Sequence, residues 1–285
     1  MPRRTIALRR RARWGTPGVP PGGDVDQAGY RSFTAALLAR AAGHADVLGL
    51  VAQGSMAEAP RPPDQFSDHD FFLIVRPGTA ERFRADPGWL PEPERIVFAF
   101  RETAHGVKAL YDDSHLVEFA VFEPDELEFA RTNAYRMLLD RAGLEERLVA
   151  LTARTAAEAA ATDPPWLAGQ FLTALLVGVN RFRRGELISA HACIRGAALG
   201  HLLRLLAIVA PPERAGQLDS LDPHRRVEQA YPSLAAGFSS ALTAAPPAAA
   251  RTLLELAERE VAPRLPHWPH RAAEVVAGVI AAAGR

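Results

Sequence analysis

The stretch "LGLVAQGSMAEAPRPPDQFSDHDFFLIV", Leu48 to Val75, decides the reading of this chain. It lays down an apolar run, breaks it at Gly54-Ser55, and enters a second apolar run through Asp68-His69-Asp70. Residues two apart in a strand share a face, so Asp68 and Asp70 project together and His69 turns away. Two carboxylates held this way repel, and a shared divalent cation is the lowest-energy relief. An oxygen-rich donor set favours magnesium or manganese. The Gly54-Ser55 turn follows a strand, where exposed main-chain N–H groups can receive a phosphate. Further on, Glu118 stands inside "HLVEFAVF", alternating with Leu116 and Ala120, which are expected to be buried. An unpaired charge in a core is costly, so Glu118 is expected to join the two aspartates.

Outward from this stretch, Tyr30, Phe33, Leu37 and Ala41 repeat at helical spacing between Tyr30 and Ala45. "DVLGLVAQ" and "DFFLIV" read as buried strands, the second closed by Pro77-Gly78. "RIVFAF" and "GVKALY" are two further strands, and "GVKALY" joins "HLVEFAVF" through "DDS" as a hairpin. The acidic "FEPDELEF" run reads as a helix start or as an attractor for a cationic ligand. Mixed β-structure thus occupies residues 26 to about 130.

The second half is helical in pattern. "WLAGQFLTALLVGVNRFRRG" carries Phe171, Leu175, Val179 and Phe182 on one stripe, with Gly185 as its stop. "ELISAHACIRGAALGHLLRLLAIVAPP" is a second long helix ended by Pro211-Pro212. Asp222-Pro223 is expected to cap a helix through "HRRVEQAY", and two more helices follow around residues 247–262 and 270–282. The expected division is an Arg-, Gly- and Pro-rich leader over residues 1–25, an α+β domain over 26–145 and an all-α domain over 146–285.

At 285 residues and 48% hydrophobic, the chain has enough apolar mass for two cores. Lys+Arg and Asp+Glu both total 33, and this balance argues against a dedicated nucleic-acid binder. Lys108 is the only lysine. The one cysteine, Cys193, excludes a disulfide framework and a cysteine-based zinc site and is expected to be buried. No apolar run reaches, without charges, the roughly 18 residues of a membrane span, so a cytoplasmic location is the default expectation. His69, His105, His115 and His191 show no ligand spacing and read as structural. Walker, dinucleotide-binding and nucleophile-elbow motifs are absent.

The order Gly54-Ser55, then Asp68-x-Asp70 heading an apolar strand, then an acid in a later strand resembles the polymerase-β-type nucleotidyltransferase superfamily. Within it, the pattern is most similar to the small-molecule branch that modifies aminoglycosides and lincosamides. "FSDHDFFLIV", "RRGELISA" and "DPHRRVEQAYP" carry the likeness, which spans roughly residues 30 to 235. The resemblance implies a nucleotidyltransferase-type mixed sheet with flanking helices, followed by a helical bundle. It implies two magnesium ions held by Asp68, Asp70 and Glu118, with Glu118 either a metal ligand or the base for the acceptor hydroxyl. Gly54 and Ser55 would take the phosphates of ATP or another nucleoside triphosphate. The helical domain would contribute Arg181 and Arg184 to a cleft between the domains. The acceptor would be a small-molecule hydroxyl, such as that of an aminoglycoside or lincosamide antibiotic. The chain departs from the pattern at Pro60, Pro62 and Pro63, which cut short the helix expected after Gly54-Ser55.

Other readings differ in acceptor or in class. Adenylylation of a protein or RNA keeps the chemistry. A ribonuclease role rests on Arg184 and His191, whose spacing matches the loose R-x(4–6)-H signature of HEPN-type helical domains. A non-catalytic nucleotide sensor would have no need of all three carboxylates. An exposed helical domain leaves room for a homodimer.

Overall fold

A computed structural model describes residues 27–58 and 62–284; the leader and Pro60 lie outside the described residues. The chain divides into two compact units, one comprising Met1–Ala130 and Ala134–Arg147, the other Arg131–Asn133 and Leu148–Arg285.

The first unit is built on a six-stranded mixed sheet. Its strands are β1 (Val47–Gln53), β2 (His69–Val75), β3 (Ile96–Arg101), β4 (Gly106–Tyr111), β5 (Leu116–Phe122) and β6 (Tyr135–Asp140), in spatial order β3-β4-β5-β2-β1-β6. Only β2 and β5 run parallel; β1–β2, β1–β6, β3–β4 and β4–β5 are antiparallel. The expected hairpin from "GVKALY" to "HLVEFAVF" is therefore present. Strand alternation sends Phe71, Leu73, Val117, Phe119, Val107 and Ala109 to one face, where α1 (Gln27–Gly43) seals them with Tyr30, Leu37 and Ala41. The short α2 (Ala80–Ala85) adds Ala80 and Phe83 to the same core. Phe33 is only partly buried against it.

Three details differ from expectation. Leu116 and Ala120 are half-buried rather than buried, because the core side of β5 is the one carrying Val117, Phe119 and Val121. The acidic "FEPDELEF" run is a helix start with acids in its first turn, as one reading expected, but of 3-10 type over Pro124–Phe129, opened by a capping box between Glu123 and Glu126. Strand β6 was not anticipated: "YRMLLD" is short and half-buried from Tyr135 to Leu139, without the alternation that marks a one-sided strand.

The second unit is helical. Its elements are α3 (Glu145–Ala160), which begins in the first unit, α4 (Pro164–Arg183), α5 (Leu187–His191), α6 (Leu199–Val209), α7 (Val227–Ala230), α8 (Ala235–Thr243), α9 (Pro246–Glu260) and α10 (His270–Ala283). Asp163 caps α4 by accepting from the Trp166 N–H, and Gly185, at φ +78°, follows its end. The stripe Phe171, Leu175 and Val179 is fully buried with Leu202, Leu205 and Leu253.

A π-helical segment, Ala192–Ala198, joins α5 to α6, so the long helix expected up to Pro211 carries an internal irregularity. From Leu187 to Val209 this helix is 23 residues with mean hydropathy 1.6, long and apolar enough by length and composition to cross a membrane. Arg195 and Arg204 interrupt it, so it is not the charge-free run of that length the sequence was expected to lack, and its apolar side lies in the unit's own core. Cys193 on the π segment is half-buried, not buried. The helix expected to start at Pro223 also does not form there. Asp222 accepts from the His224 N–H to close a turn, Arg226 adopts a left-handed φ of 63°, and only Val227–Ala230 is helical.

Candidate active site

The site is assembled from one end of β1 and β2. Strand β1 ends at Gln53, and Gly54–Ala57 make a single 3-10 turn. Gly54 sits at φ +51°, a conformation L side chains rarely adopt, so glycine is required here. Asp70 lies beside it: a Cβ added at Gly54 would stand in ordinary contact, 3.7 Å, with Asp70 Oδ2. A tight polar turn, in which Asp64 accepts from the Phe66 N–H (2.9 Å) and the Ser67 hydroxyl (3.1 Å), delivers the chain to β2. Asp68 and Asp70, both half-buried, then flank buried His69.

Register settles which acids share a face. In the parallel pairing of β2 with β5, Asp70 is the partner of Glu118. In the antiparallel pairing of β5 with β4, Glu118 is the partner of Lys108. Laterally paired residues point to the same side, so Asp70, Glu118 and Lys108 form a row across three strands on the face away from α1. Adjacent strands are about 4.8 Å apart. At that spacing two carboxylates repel by about 3 kcal/mol at an effective dielectric near 20.

Lys108 relieves the repulsion. Its Nζ lies 3.0 Å from Glu118 Oε1 and 2.9 Å from Glu102 Oε1. These two carboxylates hold the Lys108 ammonium above its usual pKa, Glu102 contributing most. Among the described residues, no group of three or more His, Cys, Asp or Glu side chains gathers to hold a metal ion. Asp68 and Asp70 are the hard oxygen donors a magnesium ion takes. Glu118 is engaged by a lysine instead, so the donor set fits one divalent ion.

Tyr30 and Arg136 close the site from the α1 side. The Tyr30 hydroxyl donates to the Asp68 carbonyl (2.9 Å) and also hydrogen-bonds the Ser55 side chain. Burial, with the charges of Asp68 and Asp70, raises its pKa well above the usual phenol value. Arg136 on β6 pairs in register with Ala52. Its guanidinium donates to the Met56 carbonyl (3.1 Å) and meets Glu58 at 2.9 Å, while its buried Nε has no hydrogen-bond partner. A cation thus lies against the Gly54–Glu58 turn.

Behind the carboxylates stands a neutral imidazole pair. His69 Nε2 faces the Tyr30 carbonyl (3.2 Å) and Thr34 Oγ1 (2.9 Å), so it carries the proton, and Nδ1 accepts from His115 Nε2 at 2.7 Å. Tyr30 stacks on the His69 ring at 3.8 Å. Burial, then the neighbouring His115, drives the His69 pKa down to about 3, and burial lowers that of His115 as well.

The arginines expected to reach the site have partners within the helical unit: Arg184 pairs with Glu186 at 2.7 Å, and Arg181 donates to the Ser189 hydroxyl. Lys108, Tyr30 and Arg136 went unread in the sequence. The signals for Lys108 were its uniqueness and its alternation within an apolar strand; Arg136 had none, since its strand was not foreseen.

No protein-family model and no curated protein matches this chain. Among solved structures, an aminoglycoside 6-adenyltransferase from Bacillus subtilis matches at 14% identity and TM-score 0.37, covering 87% of this chain and 97% of that one. A CdnC:HORMA-deltaN complex from E. coli MS115-1 matches at 12% identity and TM-score 0.29, covering 83% and 91%. At such values the functional reading rests on the residues of this chain.

Proposed function

We propose that this chain is a nucleotidyltransferase that moves a nucleoside monophosphate, AMP from ATP in the simplest case, to a hydroxyl of a small molecule such as an aminoglycoside or lincosamide antibiotic. The observation that carries this reading is the register of Asp70 with Glu118 on one sheet face, directly beside the open Gly54-Ser55 turn. In the reaction, the acceptor oxygen bonds to the α-phosphorus, the bond from that phosphorus to the β-phosphate bridge breaks, and pyrophosphate leaves. Asp68 and Asp70 would hold a magnesium ion, which when bound offsets the negative charge of the triphosphate.

The chain's own groups do the rest. Gly54 and Ser55 present a main-chain turn free of side-chain obstruction to the phosphates. Arg136, already against that turn, adds positive charge beside it. Glu118 is the carboxylate placed to take the acceptor proton, and Lys108 holds it in position.

The test is incubation of the protein with α-labelled ATP, magnesium and a panel of aminoglycosides and lincosamides. Label on a panel member with release of pyrophosphate is expected. Label on the protein itself or on lysate proteins would move the acceptor to a protein. Tight ATP binding with no pyrophosphate under any condition would overturn the reading in favour of a sensor.

A further inference from the structure

Glu118 is the third carboxylate of the candidate site, yet it already has a cationic partner. Lys108 Nζ sits 3.0 Å from it, and the two side chains are only 25% and 31% exposed, so water competes weakly for the contact. Register across β4 and β5 makes the pair a fixture of the sheet rather than a chance meeting of long side chains. Glu102, at 2.9 Å, holds the ammonium from its other side. The only lysine of the chain is spent on this contact. A divalent ion on Glu118 would have to displace it, and among the described residues no three acidic or imidazole side chains converge to compensate.

We propose that Lys108 stands where a second divalent ion would otherwise bind, so that the site takes one ion, on Asp68 and Asp70, with the lysine as its fixed second cation. The proposal rests on the nucleotidyl-transfer reading above. Lys108 is then a positioning residue: it holds the Glu118 carboxylate away from the metal, leaving it to face the acceptor hydroxyl.

The test is titration of the full chain with Mn2+ in the presence of a non-hydrolysable ATP analogue, with free Mn2+ read by electron paramagnetic resonance. Wild type is expected to bind a single Mn2+. Asp70→Asn is expected to weaken it about tenfold or more, as loss of a ligand does, while Glu118→Gln leaves it within about twofold. Lys108→Met, which frees the carboxylate, is expected to admit a second Mn2+, and Lys108→Arg to stay at one. Two ions in wild type, or Glu118→Gln weakening binding as much as Asp70→Asn, would overturn the proposal and leave nucleotidyl transfer standing. Should wild type bind no Mn2+, or Asp70→Asn bind it unchanged, the reading of the carboxylate site itself fails. If Lys108→Met does not fold, as judged by circular dichroism, the Glu118→Gln comparison decides.

Discussion

His69 begins β2 one residue from Asp70, and the pleat sends the two side chains to opposite worlds. Asp70 is half-buried beside the turn at Gly54; His69 is fully buried and held neutral against His115. A second proton on His69 would set its Nδ1–H against the His115 N–H. The consequence for stability has a definite sign. The unfolded chain titrates this histidine near 6.5 and the folded chain near 3, so the unfolded state binds more protons in between. Stability is therefore complete above pH 6.5 and falls as acid is added toward pH 3, by about 1.4 kcal/mol per pH unit from this residue. His69→Gln keeps a hydrogen-bonding side chain without a titrating ring. Urea unfolding between pH 4 and 7 is expected to show a slope shallower by about one proton in that variant; an unchanged slope would place the acid sensitivity elsewhere. Tyr30 tests the same wall. Tyr30→Phe retains the stack on His69 but loses the bonds to Asp68 and Ser55, and is expected to cost about 1 kcal/mol in chemical denaturation.

Among the elements, β1 to β5 were legible because each is an apolar run bounded by turn or polar residues. The Gly54-Ser55 break and the Asp-x-Asp entry were legible for the same reason, since local chemistry explains them. That Glu118 joins the aspartates was legible from its place in an apolar strand; what the sequence did not disclose is that Lys108 lies beside Glu118, which follows from strand pairing that no local pattern encodes. Strand β6 escaped because its side chains are half-buried on both sides, and Arg136 escaped with it. The π segment was hidden in an unbroken helical pattern. Its packing partner is Gly178 on α4, where an added Cβ would fall 2.5 Å from Ile194 Cγ1 and 3.1 Å from Cys193 Cβ. Gly178→Ala is accordingly expected to lose about 1–3 kcal/mol through overpacking, despite the better helix propensity of alanine. Thermal unfolding checks this, and a gain in midpoint would show that the contact between α4 and the π segment is loose.

At the scale of the molecule, the change from short apolar runs with turn signals to helical periodicity bounded the chain as a mixed sheet followed by a helical unit. The helical unit was legible as helices but not as a site: Arg181 and Arg184 were chosen for their spacing, and spacing alone is silent on partners such as Glu186 and Ser189. The candidate carboxylates lie in the first unit, at the ends of interior strands, with Gly54 beside Asp70 and Lys108 against Glu118. The direct measurement is pyrophosphate release from ATP and magnesium in the presence of the acceptor panel, comparing wild type with Asp70→Asn at equal folded concentration. Release by wild type, abolished in the variant with its unfolding midpoint retained, is the expected result. Release at a near-normal rate by Asp70→Asn would contradict the assignment of chemistry to this carboxylate.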